Sequence, residues 1–478
     1  MCAAEYSFRS STQQCEPCSD SAGLDAVNIL FIVVVTLVCI FAVYLYFNTS
    51  FRKRVKTIDD FYVLLFSKLR LLDDSSARCP KKLTEDASVL RRRFQARLKF
   101  YIIVWQVVSL LPFTLDMNFP HVYTGLASVL GFFNLRVDAS SLVTCAGSTT
   151  IDAVDNLVFE TVYPIVVTGL LYAGRTIHIA VVRDKTPESV SRISSRYFSV
   201  FLVFTYLILP YVSVVIFQTF SCQDVDPDNV KRGTDSYMTV DYSVSCTSSN
   251  YHFGFLWAII SLCIYPVGIP LYYFYLLYGS RHDIMNRQGL ALSSSAGVED
   301  DRLRSKKLLF EFYEPCYWFW EVVETVHRLL LTGILVVITQ GTGTQVIVGV
   351  TVALLFLKLI DVYRPYSDPI VQHVRVMCQW QIYFVFFLAL IMKADFDSVD
   401  RGALDGLLVL TILASTINDA LRCVVWVIRR KGAVAEIELT EKIVNPLSVL
   451  NVNERRDSVE QEEIEISDFG GGTVGDSS

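Results

Sequence analysis

The sequence has few charged residues for its length. Only 19% of its 478 residues are Asp, Glu, Lys or Arg, whereas 52% are hydrophobic. Soluble proteins of ordinary composition carry about a quarter charged residues. The mean hydropathy is +0.41. This composition argues against a water-soluble globule, and it excludes disorder except in local stretches.

Sequence motifs of the common enzyme classes are also lacking. No HExxH, P-loop, GxSxG or kinase signature occurs, and the six histidines lack metal-ligand spacing. The formal net charge of −6 gives no basic footprint of the kind that nucleic-acid-binding proteins carry. We therefore expect no enzyme, no metal or other cofactor, and no nucleic-acid partner.

Long apolar runs are what the sequence does contain. A bilayer core about 30 Å thick is crossed by roughly 20 apolar helical residues. Nine runs near this length predict an all-α, polytopic membrane helix bundle with the lipid bilayer as its main partner. The nine runs are Ala26–Phe47, Leu98–Leu115, Val154–Val182, Tyr197–Phe220, Phe253–Tyr278, Tyr317–Thr339, Gln345–Tyr363, Ile370–Met392 and Ala403–Ile428.

A tenth run, Phe119–Leu135, is short and contains Pro120, Gly125 and Gly131. The positive-inside rule bears on whether it crosses. If the N-terminus is outside and this run does not cross, the later cytoplasmic loops hold 18 Lys/Arg and the later outer loops hold 5. Crossing would reverse these numbers. We therefore predict a re-entrant or interfacial segment on the outer side.

The flanks of the first run give the same orientation. The N-terminal side is acidic, and the other side begins Phe51-Arg52-Lys53-Arg54. We expect an integral protein of the plasma membrane or an endomembrane, with the N-terminus outside and the C-terminus cytoplasmic. The predicted divisions are an extracellular stub (1–25), a membrane domain (26–429) and a disordered acidic tail (430–478).

Six of the twelve cysteines fall outside in this topology, where disulfides can form. Cys222 and Cys246 flank one outer loop, and we favour their pairing. Cys15-Glu16-Pro17-Cys18 has half the spacing of a zinc site but no second CxxC. We interpret it as a fragment of a disulfide-bonded repeat.

A basic cluster, Arg91-Arg92-Arg93, precedes the second run. One interpretation is a topology signal. The other is a lipid-facing site for anionic head groups at the cytoplasmic face.

Ionisable residues inside the apolar runs are the strongest functional signal, because charges at membrane depth are costly. On the sixth run, Glu321, Glu324 and Arg328 share one helical face. Lys358 and Asp361 lie one turn apart on the seventh run, as do Asp419 and Arg422 on the ninth. We expect these seven to form an intramembrane network in the cytoplasmic half of the membrane. It is either a polar clasp that holds the bundle together or part of a permeation or gating path for cations.

The fifth run contains Pro266, Gly268 and Pro270. Two prolines four residues apart predict a bent or unwound helix. A gating hinge and a packing kink are the two interpretations.

Several stretches together resemble a known family. Residues 99–135 read KFYIIVWQVVSLLPFTLDMNFPHVYTGLASVLGFFNL, 216–222 read IFQTFSC and 237–246 read YMTVDYSVSC. Residues 265–271 read YPVGIPL, and 310–332 read FEFYEPCYWFWEVVETVHRLLLT. The chain resembles, over residues 1–430, the transient-receptor-potential-like (TRP-like) membrane domain of protist, oomycete and algal surface proteins with ephrin-receptor-like cysteine repeats.

The resemblance implies a multi-pass membrane protein that acts as a cation channel or transport protein. The kinked fifth run and the inner charges would be its moving parts. The alternative is a non-conducting cell-surface receptor or adhesion protein whose cysteine-rich ectodomain does the sensing.

Overall fold

A computed structural model describes residues 6–9, 14–17, 80–115, 117, 119–136, 152–182, 186–224, 236–286, 303, 305–338, 341–394, 402–414 and 417. Short strands are β1 (Tyr6–Arg9), β2 (Gln14–Pro17), β3 (Cys222–Asp224) and β4 (Ser236–Met238). The first helices are α1 (Pro80–Leu115), α2 (His121–Leu130), α3 (Ala153–Val181), α4 (Pro187–Gln218), α5 (Ser249–Leu262) and α6 (Ile269–Gly279). They are followed by α7 (Arg281–Met285), α8 (Lys307–Phe310), α9 (Trp320–Leu329), α10 (Leu335–Val337), α11 (Gly343–Tyr363), α12 (Pro369–Lys393) and α13 (Gly402–Ala414).

The chain divides into two compact units, residues 1–47 with 90–416 and residues 48–89 with 417–478. Only residues 80–89 and 417 of the second unit are described. All packing discussed below lies in the first unit. The predicted domain limits at residues 25 and 429 fall outside the described residues.

Six helices are long and apolar enough to cross a membrane. They are α1 from Arg91, α3, α4, the continuous helix Ser249–Gly279, α11 and α12. The prediction of a helical membrane bundle is thus supported, but nine spans are not confirmed. The first run lies outside the described residues, and the ninth is described only as the shorter helix α13. The sixth run is helical over residues 320–337. It is not among the six apolar helices, and it contains three charged residues, Glu321, Glu324 and Arg328.

Side-chain caps fix where several of these helices begin. Asp152 accepts a hydrogen bond from the backbone N–H of Asp155 at 2.9 Å, and Ser248 accepts one from Tyr251 at 3.2 Å. Asp368 caps α12 through the N–H of Ile370, 2.9 Å away. Such caps satisfy N–H groups that the first helical turn leaves without partners.

The tenth run forms α2 and a 3₁₀ turn, Gly131–Asn134. Near one end, the Tyr123 hydroxyl donates to the Val108 carbonyl at 2.8 Å. At the other end, Asn134 Nδ2 donates to Ser109 Oγ at 2.7 Å. Both ends therefore contact the same short part of α1. A ten-residue helix is about 15 Å long, half of a bilayer core, so α2 alone does not cross one.

The predicted proline hinge is a wide helical turn rather than a break. Residues Cys263–Gly268 form a π-helical turn that joins α5 to α6. A Cβ at Gly268 would lie 2.7 Å from the Cys263 carbonyl oxygen, so glycine is needed there. Pro266 and Pro270 lack the N–H that regular helical bonding requires, which favours such a turn. A second π-helical turn, Leu330–Ile334, joins α9 to α10.

The described connections meet at two ends of the bundle. At one end Cys222 and Cys246, the pair favoured from the sequence, are joined by a disulfide. Their loop is tied to α3 by the Ala153 N–H, which donates to Asp241 Oδ2 at 3.1 Å. At the other end the loop before α9 pairs with the loop before α12, through an antiparallel bridge between Tyr313 and Tyr366.

Candidate functional site

The most unusual feature of the bundle interior is a group of buried ionisable side chains. We call Lys99, Glu321, Glu324, Arg328 and Arg375 the buried charged cluster. Each is at most 6% exposed. Helix α9 supplies three members because residues three and four positions apart share one helical face. Helix α1 supplies Lys99, and α12 supplies Arg375.

Glu324 and Arg375 form the best-defined pair of the cluster. Arg375 Nε lies 3.0 Å from Glu324 Oε1, and Arg375 Nη2 lies 2.7 Å from Oε2. The Tyr366 hydroxyl donates to the same carboxylate at 2.5 Å, and Arg375 Nη1 donates to Gln379 Oε1 at 3.1 Å. A two-point contact between guanidinium and carboxylate is the strongest geometry for such a pair.

Glu321 pairs with Lys99, but, in the part of the chain that the structure describes, only one of its two carboxylate oxygens has hydrogen-bond partners. Lys99 Nζ contacts Glu321 Oε2, and the Tyr313 hydroxyl donates to that oxygen at 2.8 Å. Lys99 also donates to the Leu308 carbonyl at 3.2 Å. The other oxygen, Glu321 Oε1, is buried without a hydrogen-bond partner among the described residues.

Arg328 differs from the other two cations because no carboxylate contacts it within the described part of the chain. Its Nη1 donates to Gln106 Oε1 on α1 at 3.0 Å. Its guanidinium carbon lies 4.0 Å from the ring centre of Tyr206 on α4. Its Nη2 and the Tyr206 hydroxyl are both buried without a hydrogen-bond partner there. A buried cation without a counter-charge is costly.

His327, next to Arg328, packs flat against Phe356 of α11. The ring centres are 3.6 Å apart, and the planes differ by 7°. Gln379 Nε2 lies 3.4 Å from His327 Nε2 and donates to the Ala353 carbonyl at 2.9 Å. These contacts join α9, α11 and α12 around the cluster.

The two tyrosines that donate to the carboxylates come from the loops beyond the helices. Burial, together with the adjacent carboxylates, raises the pKa of Tyr313 and that of Tyr366 well above the ordinary value. Both hydroxyls therefore keep their protons at any physiological pH. Glu321 and Glu324 thus each take one cation from a helix and one hydroxyl from a loop.

Two described residues of the predicted network are not brought into this cluster. Lys358 and Asp361 are exposed on α11, away from its buried side, so placing them in the network was wrong. The buried side of α11 carries Gly349, Ala353 and Phe356 instead. Asp419 and Arg422 lie outside the described residues.

The basic cluster Arg91-Arg92-Arg93 is used partly within the protein. Arg93 Nε lies 2.6 Å from Asp368 Oδ2. Arg92 Nη2 contacts the Glu311 carbonyl and donates to Ser367 Oγ at 2.9 Å. Two of the three side chains therefore hold the loops before α9 and α12, and the lipid-facing role of the cluster stays a prediction. Arg91 is exposed.

Sequence reasoning missed Lys99, Arg375 and Gln106. Arg375 lies in the eighth run, and Asp368 with Pro369 marks a helix start that places it in the second turn of α12. Lys99 lies at the beginning of the second run, where a cation is also typical of a topology signal. Gln106, in the middle of an apolar run, was a direct signal, because an amide there needs a partner.

The chemistry available to the cluster is that of paired charges. Both carboxylates are neutralised by a cation, and no group of three or more His, Cys, Asp or Glu side chains suited to a metal occurs among the described residues. Comparisons with known proteins add no relative: no family model, no curated protein and no solved structure matches this chain.

Proposed function

We propose that this chain is a multi-pass integral membrane protein with the N-terminus outside and the C-terminus in the cytoplasm. Six membrane-competent helices support the multi-pass character. The orientation rests on the excess of Lys/Arg in one set of connections.

Glycosylation tests this orientation, because oligosaccharide is added only on the luminal face. Asn48-Thr49-Ser50 is the sole Asn-x-Ser/Thr sequon. We expect it to stay unmodified in cells, while a sequon engineered near Asp235 is occupied. A glycan on Asn48 would reverse the proposed orientation.

We further propose a transport function of the TRP-like type, in which the buried charged cluster is the part that rearranges. The observation that carries this proposal is the placement of five charges between helices that are otherwise apolar. A purely structural bundle gains little from such charges, because apolar replacements of a buried ion pair are often equally stable. Ionisable groups at membrane depth commonly belong to ion or substrate pathways.

The test is ion flux into liposomes containing the purified chain. The pair variant Lys99→Met with Glu321→Gln removes one cation and one carboxylate together, so the net charge of the cluster does not change. We expect it to fold but to lose or alter flux. Arg192→Gln, which removes an exposed pair with Glu188, is the matched control. If the pair variant transports ions at the wild-type rate, the buried charged cluster has no role in transport.

The second candidate is a non-conducting receptor or adhesion protein. It is favoured by the pairing of both carboxylates of the buried charged cluster, which leaves neither of them free to attract a cation. It is also compatible with the antiparallel hairpin of β1 and β2 in the predicted extracellular stub. Absence of flux for all cations and anions in the wild-type chain would favour this candidate over transport.

A further inference from the structure

Arg328 and Tyr206 each carry a buried donor without an acceptor among the described residues. Arg328 is 1% exposed and Tyr206 is 4% exposed, so neither side chain reaches solvent. Arg328 Nη2 and the Tyr206 hydroxyl have no hydrogen-bond partner among the described residues. Because the guanidinium carbon lies 4.0 Å from the Tyr206 ring centre, the two donors border the same region. Buried polar groups in folded proteins nearly always have partners.

The charges around Tyr206 do not balance. Glu321 and Glu324 lie close enough to act on Tyr206, but each of them already has its own cation. Two cations approach the Tyr206 ring, Arg328 at 4.0 Å and Lys99 at 5.4 Å. Lys99 is neutralised by Glu321, whereas Arg328 meets only the neutral amide of Gln106. One positive charge is therefore left over between α1, α4 and α9. Leaving a charge buried without a counter-charge is among the most expensive arrangements in a protein interior.

We propose that Arg328 and Tyr206 bind a small monovalent anion, and that chloride fits best. The anion would accept hydrogen bonds from Arg328 Nη2 and the Tyr206 hydroxyl, and it would supply the missing negative charge. The two donors without acceptors, Arg328 Nη2 and the Tyr206 hydroxyl, belong to different side chains, so they do not form the pair of parallel N–H contacts that favours a planar carboxylate. A spherical halide needs no such pair. This inference deepens the proposed function, on which it rests only for the membrane location of the cluster.

Thermal unfolding of the purified full chain in detergent tests the proposal without any flux measurement. Sodium chloride is replaced by sodium gluconate at constant ionic strength, because gluconate is too large for the site. We expect chloride to raise the melting temperature in a saturable manner, by about 2–4 °C. An unchanged melting temperature would overturn the proposal, whether or not the protein transports ions.

Two variants locate the effect. Arg328→Gln should abolish the chloride response, whereas the control Arg192→Gln should keep it. If Arg328→Gln does not fold, Tyr206→Phe tests the site instead, because it removes only a hydroxyl that has no hydrogen-bond partner among the described residues. We expect Tyr206→Phe to match the wild type in gluconate and to need several-fold more chloride for the same shift. A wild-type response in Tyr206→Phe would overturn the site.

Discussion

Arg375 holds both carboxylate oxygens of Glu324, with Nε 3.0 Å from Oε1 and Nη2 2.7 Å from Oε2. The two residues are 1% and 3% exposed. They are 51 positions apart in the sequence and join α9 to α12. The pair is thus a fully desolvated link between two helices.

Removal of Arg375 alone should be severely destabilising. Arg375→Met leaves the Glu324 carboxylate buried without a cation, which typically costs about 3–5 kcal/mol. We expect a lower melting temperature in detergent and reduced surface expression. The double variant with Glu324→Gln should recover most of both. Lys358→Met, an exposed lysine on α11, is the matched control and should behave like the wild type. A double variant as unstable as Arg375→Met would refute the pairing.

Close packing between α11 and α12 gives a second prediction. A Cβ at Gly349 would lie 2.6 Å from the ring of Phe386. We expect Gly349→Ala to lower the melting temperature, because overpacking costs about 1–3 kcal/mol. Adding Phe386→Leu should restore part of the loss. At Gly169 a Cβ meets nothing within 4 Å, so Gly169→Ala should be neutral. Equal effects at the two glycines would contradict this packing.

The contact between Arg93 and Asp368 predicts a small acid sensitivity. Partial burial alone would raise the pKa of Asp368, but hydrogen bonds from Arg93 and the Ile370 N–H outweigh it and lower the pKa. A carboxyl whose pKa is lower in the folded state stabilises the fold above its unfolded pKa of about 3.9. That contribution is lost as the pH falls through the folded value.

The measurement is the melting temperature of the wild type and of Asp368→Asn between pH 7 and pH 3. We expect the wild type to be the more stable by up to about 1 kcal/mol near neutral pH, because the pair is partly exposed. The difference should shrink in acid. A difference that grows on acidification would show that the sign is wrong.

The disulfide between Cys222 and Cys246 should be visible by thiol labelling. Each single Ser variant is expected to expose one new thiol to a membrane-impermeant maleimide, and the double variant none. The bridge spans a sequence separation of 24, enough for a stabilisation of about 3 kcal/mol by chain entropy. Labelling of both cysteines in the wild type would exclude the bridge.

The sequence predicted the helical membrane character and the inward face of α9, because both follow from hydrophobic runs and the helical repeat. It could not identify the partners of Glu321 and Glu324. Lys99 and Arg375 lie 222 and 51 positions from their partners, near the beginnings of apolar runs, where a cation also serves as a topology signal. Only the packing of α1 and α12 against α9 reveals their role.

The prediction for Lys358 and Asp361 failed for a different reason. One-turn spacing places two charges on the same face of a helix, but it does not say which face is buried. On α11 the buried face carries Gly349, Ala353 and Phe356, small and aromatic residues that permit close helix contact. Because that face packs inside the bundle, the face that carries Lys358 and Asp361 is exposed.

The tyrosines that reach the cluster from the two loops have a consequence for how the protein unfolds. Tyr313 and Tyr366 pair with each other and donate to Glu321 and Glu324. Loss of either loop would withdraw a hydrogen bond from a buried carboxylate, and separation of the helices would leave the tyrosines without acceptors. Connecting segments usually open before the core and exchange their amide hydrogens first. Here the backbone amides around Tyr313 and Tyr366 should exchange as slowly as those of α9, since loops and helices open as one cooperative unit.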